Sequence, residues 1–95
     1  MRDRHERARQ VLRDASAEFI ARESDPHSLI TVTRAQVSDD FTHATLYVSV
    51  LPQEKMTAAL GLLNRHIPEL KKYLKEHARL PREPFIEFQI DDLSL

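Results

Sequence analysis

Between Leu29 and Leu51 the chain reads LITVTRAQVSDDFTHATLYVSVL, and its second half alternates without a fault. Ala44, Leu46, Val48 and Val50 fall on one phase; Thr45, Tyr47, Ser49 and Leu51 fall on the other. A period of two, enriched in β-branched residues and free of internal Pro and Gly, predicts a strand with one buried face. Val32, Thr33 and Val37 are β-favouring residues in the first half, which predicts a partner strand. The linker Ser38-Asp39-Asp40-Phe41 has the length of a four-residue hairpin loop, and its Asp side chains can bond the turn backbone. A lone two-stranded ribbon is barely stable in water, so the flanking segments must cover one of its faces.

Those flanks have the right patterns. Over residues 3–23, Ala8, Val11, Leu12, Ala15, Phe19 and Ile20 recur every three or four positions, which predicts an amphipathic helix. Ser24-Asp25-Pro26 ends it, because the residue before a proline is pushed out of the α region. Pro52 stops the second strand. A helix over about 54–66 follows, with Met56, Ala59, Leu60 and Leu63 inward and Gly61 in its middle. That glycine marks either a weak point or a close backbone approach. Pro68 then interrupts the amphipathic pattern, and the stripe resumes as Ile67, Leu70, Leu74 and Ala78. A proline inside a helix kinks or splits it, so two pieces, about 54–66 and 68–79, are expected to meet at residues 65–68. After the loop at 80–84, a third strand over 85–91 turns Ile86, Phe88 and Ile90 inward.

The expected fold is therefore α+β, in the order α-β-β-α-α-β. Strands 1 and 2 are antiparallel through the short turn. The long helical connection makes strand 3 parallel to strand 2, by a right-handed crossover, so strand 2 is central in a three-stranded mixed sheet. The helices cover one face and leave the other open and more polar.

Ninety-five residues suit a single domain over 1–95. No apolar run approaches the roughly 18 residues of a membrane span. The first seven residues carry five charges with no apolar stretch behind them, so no secretory signal is expected and a cytoplasmic location is. There are no cysteines. The histidines, His5, His27, His43, His66 and His77, show no metal-ligand spacing, and one glycine cannot build a phosphate loop. None of the serines stands in a nucleophile context. No enzyme activity, metal, cofactor or small-molecule substrate is expected.

The charge is segregated. Residues 2–13 hold five Arg and two acids, a net +3; residues 65–82 hold six basic and two acidic residues, a net +4. The formal total is −1, so the remainder carries −8. Local field decides attraction more than total charge does. Lys71, Lys75, Arg79 and Arg82 lie three or four apart, with Lys72 beside them, so the spacing predicts one cationic helix edge able to track a phosphate backbone. The alternative is a solvated face with Lys72 and Glu76 paired. Arg65 and His66 flank the expected kink, where the first turn of a helix offers free amides to a phosphate and Glu69 competes for them. Arg2, Arg4, Arg7 and Arg9 form a second candidate basic patch, partly explained by pairing with Asp3 and Glu6. Tyr47 and Phe41 could stack on bases, or could be partly covered sheet residues.

The hairpin runs Leu29-Ile30-Thr31-Val32-Thr33, Val37-Ser38-x-Asp40, His43-Ala44 and Tyr47-Val48-x-Val50-Leu51. With the ending Arg79-Leu80-x-x-x-Pro84-x-Ile86-x-Phe88-x-x-Asp91, it closely resembles the bacterial ribosome-binding factor A family, and Asp25-Pro26 fits as well. The resemblance implies a KH-like domain of the type II arrangement. It implies a monomeric factor that aids late maturation of the small (30S) ribosomal subunit by binding 16S rRNA, with Arg65, His66, Lys71, Lys72, Lys75, Arg79 and Arg82 as contacts. His66-Ile67-Pro68 stands where the family usually has Ala-x-Gly, so the close approach of a small residue to phosphate is lost. The sequence stops at Leu95, short of the C-terminal tail that many relatives carry. Two other readings stay open: a KH-like module for other single-stranded RNA or DNA, and a protein-interaction domain without nucleic acid.

Overall fold

The computed structural model describes residues 2–23 and 28–92, with side chains from residue 4 onward. The Ser24-Asp25-Pro26 helix stop, His27 and the side chains of Arg2 and Asp3 lie outside the described residues. The elements are α1 (Arg2–Arg22), β1 (Leu29–Val37), β2 (His43–Leu51), a 3-10 turn (Gln53–Lys55), α2 (Met56–Arg65), α3 (Ile67–His77) and β3 (Phe85–Ile90). The sheet order is β1-β2-β3, antiparallel between β1 and β2 and parallel between β2 and β3. That is the expected topology, with β2 in the middle.

Alternation along β2 decides where the core sits. Ala44, Leu46, Val48 and Val50 are buried, and they join Leu12, Phe19, Ile20, Leu63, Leu70, Leu74, Ile86 and Phe88 in one cluster. Each helix thus contributes its apolar stripe to the same sheet face. Truncating a fully buried leucine such as Leu12 or Leu70 to alanine costs about 2–5 kcal/mol. Tyr73 fastens α3 to α1: its ring lies 5.6 Å from Phe19, 4.1 Å from the nearly parallel His77 ring and 5.3 Å from the Arg22 guanidinium.

β1 departs from simple alternation. Val32 pairs with Val48 and Arg34 with Tyr47, so Thr33 is an extra residue, a β-bulge. On the outer face Thr33 Oγ1 donates to the Asp91 carboxylate at 2.5 Å. Arg34 Nε stands 3.4 Å from the same Asp91 oxygen, close enough to pair as ions but without hydrogen-bond alignment. The Arg34 guanidinium also lies 3.9 Å from the centroid of the Tyr47 ring. Asp91 is buried, and its amide bonds the Val48 carbonyl at 2.8 Å. The aspartate that closes the sequence motif therefore ties the end of β3 to β1 and β2.

The hairpin turn is densely bonded. Ser38 N–H donates to the His43 carbonyl at 2.9 Å, and Phe41 N–H to the Ser38 carbonyl at 3.0 Å. Asp40 Oδ1 accepts from Ser38 Oγ, Thr42 N–H and Thr42 Oγ1. Those donors, the Thr42 hydroxyl foremost, lower the Asp40 pKa from 3.8 to about 2. Phe41 sits in the left-handed region at φ 62, an unusual place for a large side chain. Its ring is held under His5, 4.3 Å away and stacked, with the Arg4 guanidinium 5.7 Å from its centroid. His5 Nε2 reaches the Asp39 carbonyl at 3.0 Å. The start of α1 is thereby clamped onto the turn.

Candidate nucleic-acid interface

α2 ends at Arg65 and α3 begins at Ile67, with His66 between them at φ −94 and ψ 4. Pro68 falls in the first turn of α3, where its missing N–H has no intrahelical partner to lose. The interrupted helix predicted from Pro68 is therefore two helices. The break rests on one residue that caps both: His66 N–H bonds the Leu62 and Leu63 carbonyls, and its own carbonyl accepts from Leu70 N–H at 2.9 Å. Gly61 allows no close backbone approach. A methyl there would meet nothing nearer than Arg65 Nη1, at 4.0 Å.

The cations do not all follow one helix edge. α3 stops at His77; Ala78 is extended at φ −129 and ψ 134. Leu80 precedes Pro81, which disfavours helix there, and the His77 ring folds back to 3.0 Å from the Tyr73 carbonyl. Only Lys71, Lys72 and Lys75 ride on α3. Arg79 and Arg82 belong to the segment that returns to β3, and this corrects the expected row of four at helical pitch.

That segment makes a groove. It runs back beside α3 and encloses about 290 Å³, with Leu74, Leu80, Pro84 and Ile86 in its walls and Lys71, Lys75, Arg82 and Glu83 around it. A shallower cleft continues past Lys72 to Ile67 and Pro68. Glu83 stands 3.8 Å from Lys75, both largely exposed, so the pair is screened and contributes little. The arrangement joins an apolar floor to several cations of one sign, chemistry suited to a phosphate-bearing chain with exposed bases.

The remaining predicted contacts are dispersed. His66 faces α1 and β1, sharing a small crevice with Phe19, Ile20, Glu23 and Ile30. Its Nδ1 lies 3.9 Å from Glu69. The Arg65 guanidinium lies along α2 near Gly61, and Arg79 is exposed outside the groove lining. On α1, Arg4 is engaged by Phe41, Arg7 is exposed and Arg9 half-buried, so these arginines point in different directions. Phe41 is nearly buried and Tyr47 has Arg34 against its ring, so neither offers a free face to a base. Among the described residues the exposed aromatic is Phe85. Its signal was an aromatic on the outward phase of strand 3, together with Glu87 and Gln89. Among the described residues no group of three His, Asp or Glu could hold a metal ion, and no helix is long and apolar enough to cross a membrane.

An α-β-β-α-α-β chain with a parallel crossover through two consecutive helices is a KH-like domain of the type II arrangement. The family model of ribosome-binding factor A matches residues 4–94, and the chain belongs to that family. It is 34% identical over 92 residues to ribosome-binding factor A of Halorhodospira halophila, an alignment covering 93% of this chain and 73% of the relative. The crystal structure of ribosome-binding factor A from Thermus thermophilus superposes with a TM-score of 0.81 at 30% identity, covering 90% of this chain and 94% of that one. A Thermus thermophilus homology model, fitted into the cryo-EM map of a 30S complex with the factor, superposes with a TM-score of 0.75 at 32% identity, over 88% and 91% of the two chains.

Proposed function

We propose that this chain binds the small ribosomal subunit through its 16S rRNA, favours one conformation of that RNA until late maturation is complete, and then leaves. It acts as a cytoplasmic monomer and performs no bond chemistry. The observation that carries this reading is the groove between α3 and the returning segment, where Lys71, Lys75 and Arg82 surround an apolar floor. Lys72 extends it toward the α2–α3 break, and Arg79, Arg65 and His66 are outlying contacts. Membership of the ribosome-binding factor A family and the 30S complex of a Thermus thermophilus relative support the choice of partner. A factor of this kind needs only a difference in affinity between precursor and finished subunit.

Co-sedimentation tests it. The protein is expected to travel with free small subunits, more with immature than with mature ones, and to be absent from assembled 70S particles. Neutralising three or four phosphates predicts that a fourfold rise in salt weakens binding by roughly one to two orders of magnitude. Equal binding to any single strand, with no preference for the subunit, points instead to a general KH-like module. Salt-insensitive binding points to a protein partner.

A further inference from the structure

The most exposed large apolar side chain among the described residues is Phe85, at 72%, although its neighbours Ile86 and Phe88 are buried. Three observations around it converge. Lys71 Nζ stands 5.7 Å from the centroid of its ring. The His43 ring, paired with it across the parallel ladder, lies within 20° of its plane at a centroid distance of 6.0 Å. Glu87, two residues along the same strand, completes a hollow of about 400 Å³ with His43, Thr45, Phe85 and Ile86.

The two rings differ in how they are held. His43 Nδ1 lies 2.9 Å from Thr42 Oγ1, whose own proton goes to Asp40. The imidazole must therefore be the donor in that pair, and its orientation is set by the Asp40 carboxylate through Thr42. Phe85 has no polar handle, and covering its exposed ring with another flat apolar surface is favourable. Two opposite charges stand near the ring. Lys71 belongs to the cationic groove and would take a phosphate, while Glu87 repels one and accepts hydrogen bonds. An aromatic plane with a cation near its ring and a carboxylate in the same hollow, one oxygen of which accepts from Gln89 Nε2 at 3.2 Å and leaves the other for a ligand, suits one nucleotide: base on the ring, phosphate on Lys71, exocyclic amino group toward Glu87. It does not match a duplex, whose bases are stacked and unavailable.

We infer that Phe85, with His43, Lys71 and Glu87, forms a stacking site for one unpaired, amino-bearing base of RNA, contiguous with the groove through Lys71 and Ile86. This inference rests on the RNA reading above and specifies it: the RNA is single-stranded at this point, and adenine or cytosine is preferred to uracil. Stacking is sequence-tolerant, so the preference comes from Glu87 and not from the ring.

Fluorescence anisotropy with ten-nucleotide oligomers of A, C and U, and with a duplex RNA of equal length, tests the site on the full chain. Phe85→Ala is expected to weaken binding of the A and C oligomers by about five- to a hundredfold, the range of one lost base stack. Duplex binding and the salt slope stay as they were, because no phosphate contact is removed. Phe85→Tyr restores the affinity. Glu87→Ala brings the U oligomer level with the others. Thermal melts of each variant exclude a loss of folding, which the exposure of both side chains makes small.

The inference is overturned if Phe85→Ala binds every oligomer as the parent does, or loses single strand and duplex alike. It is equally overturned if that variant loses subunit binding while keeping RNA binding, since Phe85 then meets a protein. A joint Lys72→Glu, Lys75→Glu, Arg82→Glu variant, which spares Lys71, separates the two proposals. If it abolishes binding while Phe85→Ala does not, the groove stands and the stack falls. If it binds normally while Phe85→Ala does not, the reverse holds.

Discussion

The arginines of α1 and the cations that follow the α2–α3 break carry almost the same surplus, +3 over residues 2–13 and +4 over residues 65–82. In the folded chain they part company. Arg7 and Arg9 are two positions apart on a helix, hence about 200° apart around it. Arg13 lies 3.5 Å from Asp14, and Arg4 is drawn over Phe41. Lys71 and Lys75 are four apart, and the extended segment after Ala78 folds back to set Arg82 opposite them. The first surplus goes into tying a helix to a turn and into solubility; the second gathers round a concavity. A net charge per segment does not distinguish these outcomes. The spacing on the helix and the point where the helix stops do.

Reversing the charges separates the segments most sharply. The Lys71→Glu, Lys75→Glu, Arg82→Glu variant is expected to lose about two to three orders of magnitude in affinity for small subunits in a sedimentation or anisotropy assay, with its melting temperature little changed. The matched Arg7→Glu, Arg9→Glu, Arg13→Glu variant is expected to lose less than about fivefold, an effect of general field alone. Equal losses would erase the contrast.

Phe41→Ala attacks the α1 side. Removing a ring that is 9% exposed and packed against His5 and Arg4 should cost about 3 kcal/mol in chemical denaturation, while RNA affinity changes by less than about twofold. Gly61→Ala should raise stability by up to about 1 kcal/mol, because helix propensity improves and the added methyl meets only the tip of the Arg65 side chain, at 4.0 Å. Binding should change by less than about twofold, since the 4.0 Å contact leaves the Arg65 guanidinium where it is and the groove lining is untouched.

The smallest effect is one of pH, at the turn that receives α1. The Asp40 carboxyl is lowered from 3.8 to about 2, so the folded state favours its ionised form. That contribution is complete above the unfolded pKa near 3.8 and is lost as pH falls through 3.8 toward 2. Asp40→Asn should therefore flatten the fall in melting temperature between about pH 4 and pH 2, leaving the neutral-pH affinity of the groove alone.

Much of this was legible in the residues. The alternation of β2, the amphipathic stripes and Pro68 define the element order, and the buried positions follow those stripes closely. What stayed hidden depends on backbone choices no periodicity reports. The end of α3 at His77 takes Arg79 and Arg82 off the helix, and the only sequence sign of it is Pro81. Phe85 was visible as an outward aromatic, yet its neighbours Lys71 and His43 come from two other elements, and only the tertiary fold brings the three together.

Thr33 acts as a phase shifter. Ile30 and Val32 before it, and Ala35 and Val37 after it, all oppose core residues of β2, although Val32 and Ala35 are separated by an odd number of positions. The strand therefore carries one surplus unit, and it matters where a shortening falls. Excising Thr33 leaves Val32, Arg34 and Ala35 in unbroken in-out-in order and forfeits only the hydroxyl that Asp91 holds. Excising Gln36 instead swings Val37 out to water next to the turn. Two lost codons three places apart would thus have opposite consequences, one a smoothing of the ribbon and the other an inversion of its end.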